Sequence, residues 1–308
     1  MKISYLRKGL LAIVAGAFVA VTAGSVQAGF PDKPVTFIVP YSPGGGSDQQ
    51  ARRLQPGLEK ALGVKVRIVY KTGGGGAVGF GELWRSKNDG YTISNVVVPN
   101  IVITAKGKDV GFKPAKFKYI GMTARAVGAL MVPKNSKYKS LKQFVADAKA
   151  NPGKITVAGV GRTGKSNMDM LAAILKIKYQ YVPVSGGVGK MIPMIVGNHV
   201  QAGMTASSHS VKHRAKLDTI AVAGPSAVGA LPGVPNVNGW GYITTWGVMA
   251  PPGTPNDRVK ILNAALLEAT ADPKLKAMVI KNGLTPMRQT TAEAAAYVGA
   301  ACAKYGCQ

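Results

Sequence analysis

Short runs of β-forming residues end in glycine clusters that open into helical patterns, and the recurrence of that order constrains this chain's fold more than any other feature. Residues 34–39 contain Val35, Phe37, Ile38 and Val39, which predict a fully buried strand. A turn follows in Pro43-Gly44-Gly45-Gly46-Ser47-Asp48. The next helix carries Ala51, Leu54 and Leu58 on its apolar face and stops at Gly63. Residues 64–69 give the next strand. Strand, helix and strand in this order form a βαβ opening, which predicts an α/β fold with parallel strands covered by helices.

The same order continues. Residues 71–81 read as a second glycine-rich loop leading to a helix around 82–86, and residues 89–93 turn into a strand running toward Val98. Residues 106–118 are polar and loop-like, and 129–132 form a strand. Ser140 is a plausible N-cap for a helix over 140–150, with Asn151-Pro152-Gly153 as its stop. Strands are expected at 155–158, 181–184 and 219–223, and helices at 168–175 and 190–196. Residues 225–242 are rich in proline and glycine and read as a long loop or lobe crossing. Helices over 256–270, 273–282 and 291–303 close the chain, and no repeat of fixed period is present.

The first residues decide the compartment. Lys2, Arg7 and Lys8 precede an apolar, small-residue run from Leu10 to Ala23, and Val26-Gln27-Ala28 fits a cleavage site. The run is shorter than the roughly 20 residues a spanning helix needs. Residues 1–28 are therefore expected to be a cleaved signal peptide, with a periplasmic mature chain. The length after Ala28 can bury a substantial core, expected in two lobes. Removing three basic and no acidic residues lowers the formal charge from +26 to +23. Export and the lack of any recognition motif argue against nucleic acid. The basic stretch of residues 106–154 reads as a solvated face, while the positive field favours an anionic small ligand. Cys302 and Cys307 could form a local disulfide in an oxidising compartment, and they match no metal site.

Three strand–helix junctions could hold an anion, because a helix N-terminus offers unpaired N–H groups and a positive dipole end. They are Gly44-Gly45-Gly46-Ser47-Asp48, Gly159-Val160-Gly161-Arg162-Thr163-Gly164-Lys165-Ser166, and Ser185-Gly186-Gly187. All three stand at carboxyl ends of expected strands, which points to a crevice site. The second satisfies the G-x-x-x-x-G-K-[ST] phosphate-loop pattern, so a P-loop phosphohydrolase is a rival reading. Export, the mid-chain position and the missing magnesium-side acid count against it. In either case Arg162 and Lys165 suit an anionic ligand. Gly74, Gly76 and Gly79 match a dinucleotide fingerprint, but no acid follows near Val96–Val98, and close packing under the first loop is favoured. His199, His209 and His213 match no zinc spacing and read as surface or core-edge residues. No nucleophile elbow surrounds any serine, and the 13 acidic residues form no obvious acid/base pair, so no enzyme activity is expected.

The motifs, taken in order, resemble the solute receptors of tripartite tricarboxylate transporters, the Bug family. Val39-Pro40-Tyr41-Ser42-Pro43-Gly44-Gly45-Gly46-Ser47-Asp48 is similar to the family's V-P-F-x-P-G-G-x-x-D opening. Gly73-Gly74-Gly75-Gly76-Ala77-Val78-Gly79, Asp89-Gly90-Tyr91-Thr92, Asn151-Pro152-Gly153-Lys154, Leu231-Pro232-Gly233-Val234-Pro235 and Ala250-Pro251-Pro252-Gly253-Thr254-Pro255 continue the match along the mature chain. The resemblance implies a two-lobed periplasmic-binding-protein fold, type II-like. Each lobe would be a mixed sheet flanked by helices, with two crossings between them. The lobes would be residues 29–126 plus 247–308, and 127–246.

It further implies a monomer that needs no cofactor or metal, holds a small mono- or dicarboxylate between its lobes, and delivers it to membrane permease subunits. A ligand sensor without a transport role is the other form. Carried over residue by residue, the carboxylate-binding positions are Tyr41, Ser42, Gly45, Gly46, Ser47 and Asp48 in one lobe. Gly161, Thr163, Gly164 and Ser166 are those in the other. Arg162 and Lys165 either supply charge to a second carboxylate or point to solvent, and Val184, Ser185 and Gly186 complete the expected site. Two departures stand out: Pro183-Val184-Ser185-Gly186 replaces P-Y-K-G, and Gln201 stands where an acid is usual. Both are expected to reshape the distal pocket.

Overall fold

The computed structural model describes residues 29–107, 109–224, 228–241 and 243–307. The expected leader and its cleavage site lie outside the described residues. No helix among the described residues is long and apolar enough to cross a membrane.

The chain opens as β1 (Val35–Val39), α1 (Gly46–Leu62), β2 (Val66–Tyr70), α2 (Ala77–Arg85), β3 (Thr92–Val98) and α3 (Asn100–Ala105). β1 lies between β2 and β3, parallel to both. Gly63 ends α1 in the left-handed conformation at φ 70°, where glycine has no steric cost. α2 starts at Ala77, earlier than the glycines of residues 71–81 suggest. Gly79 explains the difference: a Cβ there would sit 2.6 Å from the Pro40 Cβ, so the glycine lets α2 lie directly against the first loop. That is a packing requirement and not a break in helix.

β4 (Lys118–Pro133) follows as one long strand. The sequence suggested a loop over 106–118 and a strand only at 129–132. Gly121 and Gly128 interrupt the apolar pattern, but both make room for groups packed on the face of the sheet. A Cβ on Gly121 would meet the Gln289 carbonyl at 2.9 Å, and one on Gly128 would meet Trp240 and Asn167 at 2.9 Å. The first half of β4 pairs antiparallel with β10 (Ile243–Ala250). Its second half pairs antiparallel with β7 (Ala202–Ala206) and β8 (Leu217–Ala223). One strand thus belongs to two sheets.

Between the halves run α4 (Leu141–Ala150), β5 (Thr156–Val160), α5 (Gly161–Leu175), β6 (Gln180–Val184), α6 (Val188–Val196), β7, α7 (Ser207–His213), β8 and β9 (Asn236–Val237). β5 pairs parallel with β6 and β7. Ser140 caps α4 by accepting from the Gln143 N–H, as the sequence suggests. After β10 the chain returns to the first sheet through α8 (Asn256–Ala271), α9 (Pro273–Lys281), β11 (Thr285–Pro286) and α10 (Thr291–Tyr305). Thr290 and Glu293 form a capping box on α10, and the Cys302–Cys307 disulfide joins its last turn to the tail.

The result is a two-lobed, mixed α/β molecule with a core under each sheet. One core gathers Phe37, Leu54, Phe80, Ile101, Trp246 and Leu266. The other gathers Leu130, Phe144, Met168, Leu171 and Trp240.

Candidate functional site

The carboxyl ends of five strands meet around one cavity of about 60 Å³. Tyr41, Gly45, Gly46 and Ser47 come from the β1–α1 junction, and Val97 and Asn100 from β3–α3. Val160, Thr163, Gly164 and Asn167 come from β5–α5, Gly187 and Val188 from β6–α6, and Met204, Thr205, Ala206 and His209 from β7–α7. Thr244 and Trp246 of β10 complete the wall. Five helices therefore begin at this cavity, and each brings unpaired N–H donors and a positive dipole end. No Lys, Arg, Asp or Glu is among the lining residues.

The first turn of α1 can be accounted for donor by donor. The Gly44 N–H donates to Asp48 Oδ2 at 2.6 Å, Gly45 N–H to the Ser42 carbonyl at 3.3 Å, and Gln49 N–H to the Gly45 carbonyl at 3.0 Å. The N–H groups of Gly46, Ser47 and Asp48 keep no protein acceptor among the described residues. Gly46 is confined as well: a Cβ there would stand 2.8 Å from Trp246 Cζ2 and 3.2 Å from His209 Nε2. Only a residue without a side chain leaves room for a ligand at this point.

Asp48 serves the loop and does not line the cavity. Its carboxylate accepts from Arg52 Nε and the Tyr70 hydroxyl, each at 2.7 Å, besides Gly44. Burial works against its ionisation, but these donors outweigh burial and hold its pKa below the ordinary carboxylate value. Tyr41 donates to the Gly75 carbonyl at 3.1 Å, and burial pushes its hydroxyl pKa up.

The mid-chain motif differs from the loop that its pattern suggests. β5 passes into α5 through Gly161 alone, which turns the chain at a positive φ of 49°, and residues 162–166 are helical. No phosphate-wrapping loop exists there, and the P-loop reading is corrected on that ground. Gly164 lies so close to β5 that its Cβ would meet the Gly159 backbone at 2.7 Å. Helical phase then sorts the motif: Thr163, Gly164 and Asn167 face the cavity, while Arg162, Lys165 and Ser166 fall on the other side. Lys165 pairs with Asp169 at 2.8 Å, one turn on, and both are half exposed. Arg162 Nη1 donates to the Lys106 carbonyl at 2.6 Å.

The third junction acts mainly as a clasp between the jaws. The Ser42 N–H donates to the Gly186 carbonyl at 2.8 Å, and the Ser42 hydroxyl donates to the same oxygen. Lys212 Nζ adds a bond to the Gly44 carbonyl at 3.0 Å. Ser185 is exposed, and Val184 is buried in a small apolar cluster with Met191 and Ile195. Gln201 accepts from the Thr156 N–H at 2.6 Å at the start of β5. Neither Val184 nor Gln201 lines the cavity, so the expected reshaping of its distal part falls to other residues.

Those residues are Asn100, His209, Thr244 and Trp246, which a search for glycine turns does not find. The β7–α7 and β3–α3 junctions form helix N-termini without a glycine cluster. β7 reads Ala202-Gly203-Met204-Thr205-Ala206, which is no run of β-forming residues, so the sequence gives no local signal for His209.

His209 is buried, and burial lowers its pKa to about 3, aided by the positive neighbours His213, Lys212 and Arg53. It is neutral at pH 7. The unfolded imidazole takes a proton below about 6.5 and the folded one does not, so stability falls as pH drops from about 6.5 toward about 3. His209→Gln should remove up to about 1.4 kcal/mol per pH unit from that slope. Denaturant midpoints at pH 7 and pH 5 check this, and parallel slopes in the two proteins would refute it.

Residues 50–307 match the family described as tripartite tricarboxylate transporter family receptor. A UPF0065 protein of Cupriavidus necator is 28% identical over 288 residues, covering 91% of this chain and 88% of its own. A solved structure described as a periplasmic transporter superposes with a TM-score of 0.84 at 27% identity, over 90% of this chain and 96% of that one. MatC of Rhodopseudomonas palustris, solved with bound malate, superposes with a TM-score of 0.83 at 22% identity, over 90% and 98% of the two chains.

Proposed function

Because the chain belongs to the tripartite tricarboxylate transporter receptor family, we propose that it captures a small organic carboxylate between its lobes and delivers it to the membrane subunits of such a transporter. Receptors of this family are periplasmic, and here the leader is taken to be cleaved near Ala28. The lobes are taken as residues 29–126 with 247–308, and 127–246; the second core, which lies wholly within 127–246, supports this division, while Trp246 of β10 packs with the first core. The observation that carries the reading is a cavity ringed by helix N-termini without any acidic side chain. Such a site attracts a carboxylate through backbone donors and dipoles. Malate in the related MatC structure supports the ligand class.

Tyr41, Gly45, Gly46, Ser47, Thr163 and Gly164 contact the ligand in this reading, and Ser42 with Gly186 holds the jaws together around it. A ligand touching both jaws favours the closed form by mass action, with one chain per ligand. The protein is a receptor and performs no chemistry on its ligand.

The test is native mass spectrometry of the purified protein, followed by thermal-shift assays with carboxylates and with nucleotides. Carboxylates should raise Tm in proportion to the logarithm of their concentration, and nucleotides should not. Lys165→Ala should leave the carboxylate response within about twofold, since loss of a surface ion pair is worth little. ATP turnover that disappears in Lys165→Ala would overturn the proposal.

A further inference from the structure

The end of the second lobe farthest from the cavity gathers charge from loops that lie far apart in sequence. β4 ends there, and β5, β6, β7 and β8 begin there: Pro133 pairs with Leu217, Met131 with Gly203, Val157 with Ala202, and Thr156 with Gln180. The five strand ends stand side by side in the order β8-β4-β7-β5-β6. At the usual strand spacing they make an edge about 20 Å wide. Hydrogen bonds join the loops into one surface. The Lys134 N–H donates to the Lys216 carbonyl at 3.0 Å, the Gly153 N–H to the Lys178 carbonyl at 3.2 Å, and Asn198 Nδ2 to Asn135 Oδ1 at 3.3 Å.

Four of the five loops are basic. Residues 134–139 hold three lysines, 149–154 two and 176–178 two, while Arg214 and Lys216 precede β8, and all nine side chains are exposed. The acids beside them are already paired, Asp218 with Lys134 and Asp147 with Lys137. Seven positive charges are left without an acidic partner among the described residues. Helix dipoles do not account for them. α4, α5, α6 and α7 end at this pole, and one cation in each last turn would complement all four. Like charges along one edge repel each other and cost stability, so packing gives no reason to collect them.

The kind of cation restricts the partner. Eight of the nine are lysine, the residue that protein interfaces avoid, where arginine and aromatic side chains serve as anchors. No aromatic side chain is exposed at this pole to stack a nucleic-acid base, and Ile174 in the last turn of α5 is the one large apolar side chain exposed nearby. Point charges on flexible stems suit a surface whose negative charge is spread out, as in a sheet of anionic lipid headgroups. We propose that this pole of the second lobe is a docking face for an anionic phospholipid bilayer. The hold is weak and salt-sensitive, concentrates the protein at a membrane, and leaves the cavity at the other end of the same strands open for loading. It does not depend on which ligand the cavity takes.

Co-sedimentation of the purified protein with vesicles of phosphatidylethanolamine and phosphatidylglycerol, and with phosphatidylcholine vesicles, tests this. In about 50 mM salt the protein should bind the anionic vesicles and not the neutral ones, and about 0.5 M salt should release it, because screening then acts within a few ångströms. Each basic residue that reaches such a surface strengthens binding about fivefold. Lys149→Gln, Lys154→Gln, Lys178→Gln and Lys216→Gln combined should therefore weaken it at least about thirtyfold. The same loss of charge from exposed positions of the first lobe, Lys60→Gln, Lys113→Gln, Lys274→Gln and Lys281→Gln, should weaken it by no more than about threefold. If the combined pole variant melts early, its first two and its last two substitutions, made as separate pairs, should each weaken binding at least about fivefold. Equal losses in the pole and first-lobe variants, or no binding of the wild type to anionic vesicles, would overturn the inference. Polyglutamate bound as tightly as the vesicles would point to an acidic protein and overturn it as well. Tm shifts by carboxylates should be the same in both variants as in the wild type, so the docking face and carboxylate capture stand or fall separately.

Discussion

Replacing Ser47 by proline is expected to abolish carboxylate binding while the protein stays folded. Ser47 is the second residue of α1, and its N–H has no protein acceptor. Proline therefore costs the helix no hydrogen bond at this position, and its fixed φ suits a first turn. The residue before a proline normally resists the helical conformation because its Cβ meets the ring. That residue is Gly46, which has no Cβ. The substitution thus deletes one donor from the cavity wall and puts ring carbons in its place. A hydrogen bond to a charged group contributes about 1.5–3 kcal/mol, and the added bulk displaces the carboxylate as well. Affinity should fall at least about a hundredfold, with Tm of the free protein within a few degrees of wild type. Ser47→Ala, which keeps the amide, should retain most of the binding. Calorimetry and circular dichroism decide the matter: unchanged affinity in the folded proline variant would move the site away from α1.

The α1 junction was legible because its glycines do what glycines before helices ordinarily do. Gly44 takes a positive φ of 79°, and Gly46 makes room beside Trp246. The α/β order, the two lobes and the caps at Ser140 and Gly63 were legible for the same reason, since local chemistry and tertiary position agree there. Glycines misled where they serve packing. Gly79 and Gly164 sit inside helices, and Gly121 and Gly128 sit inside β4, because another backbone or ring lies where a Cβ would be. A sequence shows that a side chain is absent but not what occupies the space. Arg162 and Lys165 were attractive as charges in a phosphate-loop pattern. Once Gly161 starts the helix, periodicity turns both away from the cavity. Asn100 and His209 belong to junctions without a glycine signature, and only the convergence of strand ends brings them to the site.

Residues 225–242 read as connector, yet Trp240 makes that segment part of the second lobe's core. Its side chain is fully buried among Leu130, Met168 and Leu171, and its Nε1 donates to Asn167 Oδ1 at 2.7 Å. Gly128 of β4 is a glycine because this ring lies 2.9 Å from where its Cβ would be. Trp240→Ala should therefore destabilise the protein by about 3–5 kcal/mol from the lost ring. The orphaned Asn167 amide adds about 1–3 kcal/mol. For a chain of this size Tm should drop by on the order of 10 °C or more. Trp240→Phe keeps most of the apolar surface and removes only the donor, so its loss should be close to the hydrogen-bond part alone. Asn167 lines the cavity, and the phenylalanine variant should weaken ligand binding more than its modest effect on Tm suggests. Scanning calorimetry with and without ligand separates the two effects. If Trp240→Ala melts within about 2 °C of wild type, the segment is a connector after all, and the second core does not depend on the ring that closes it.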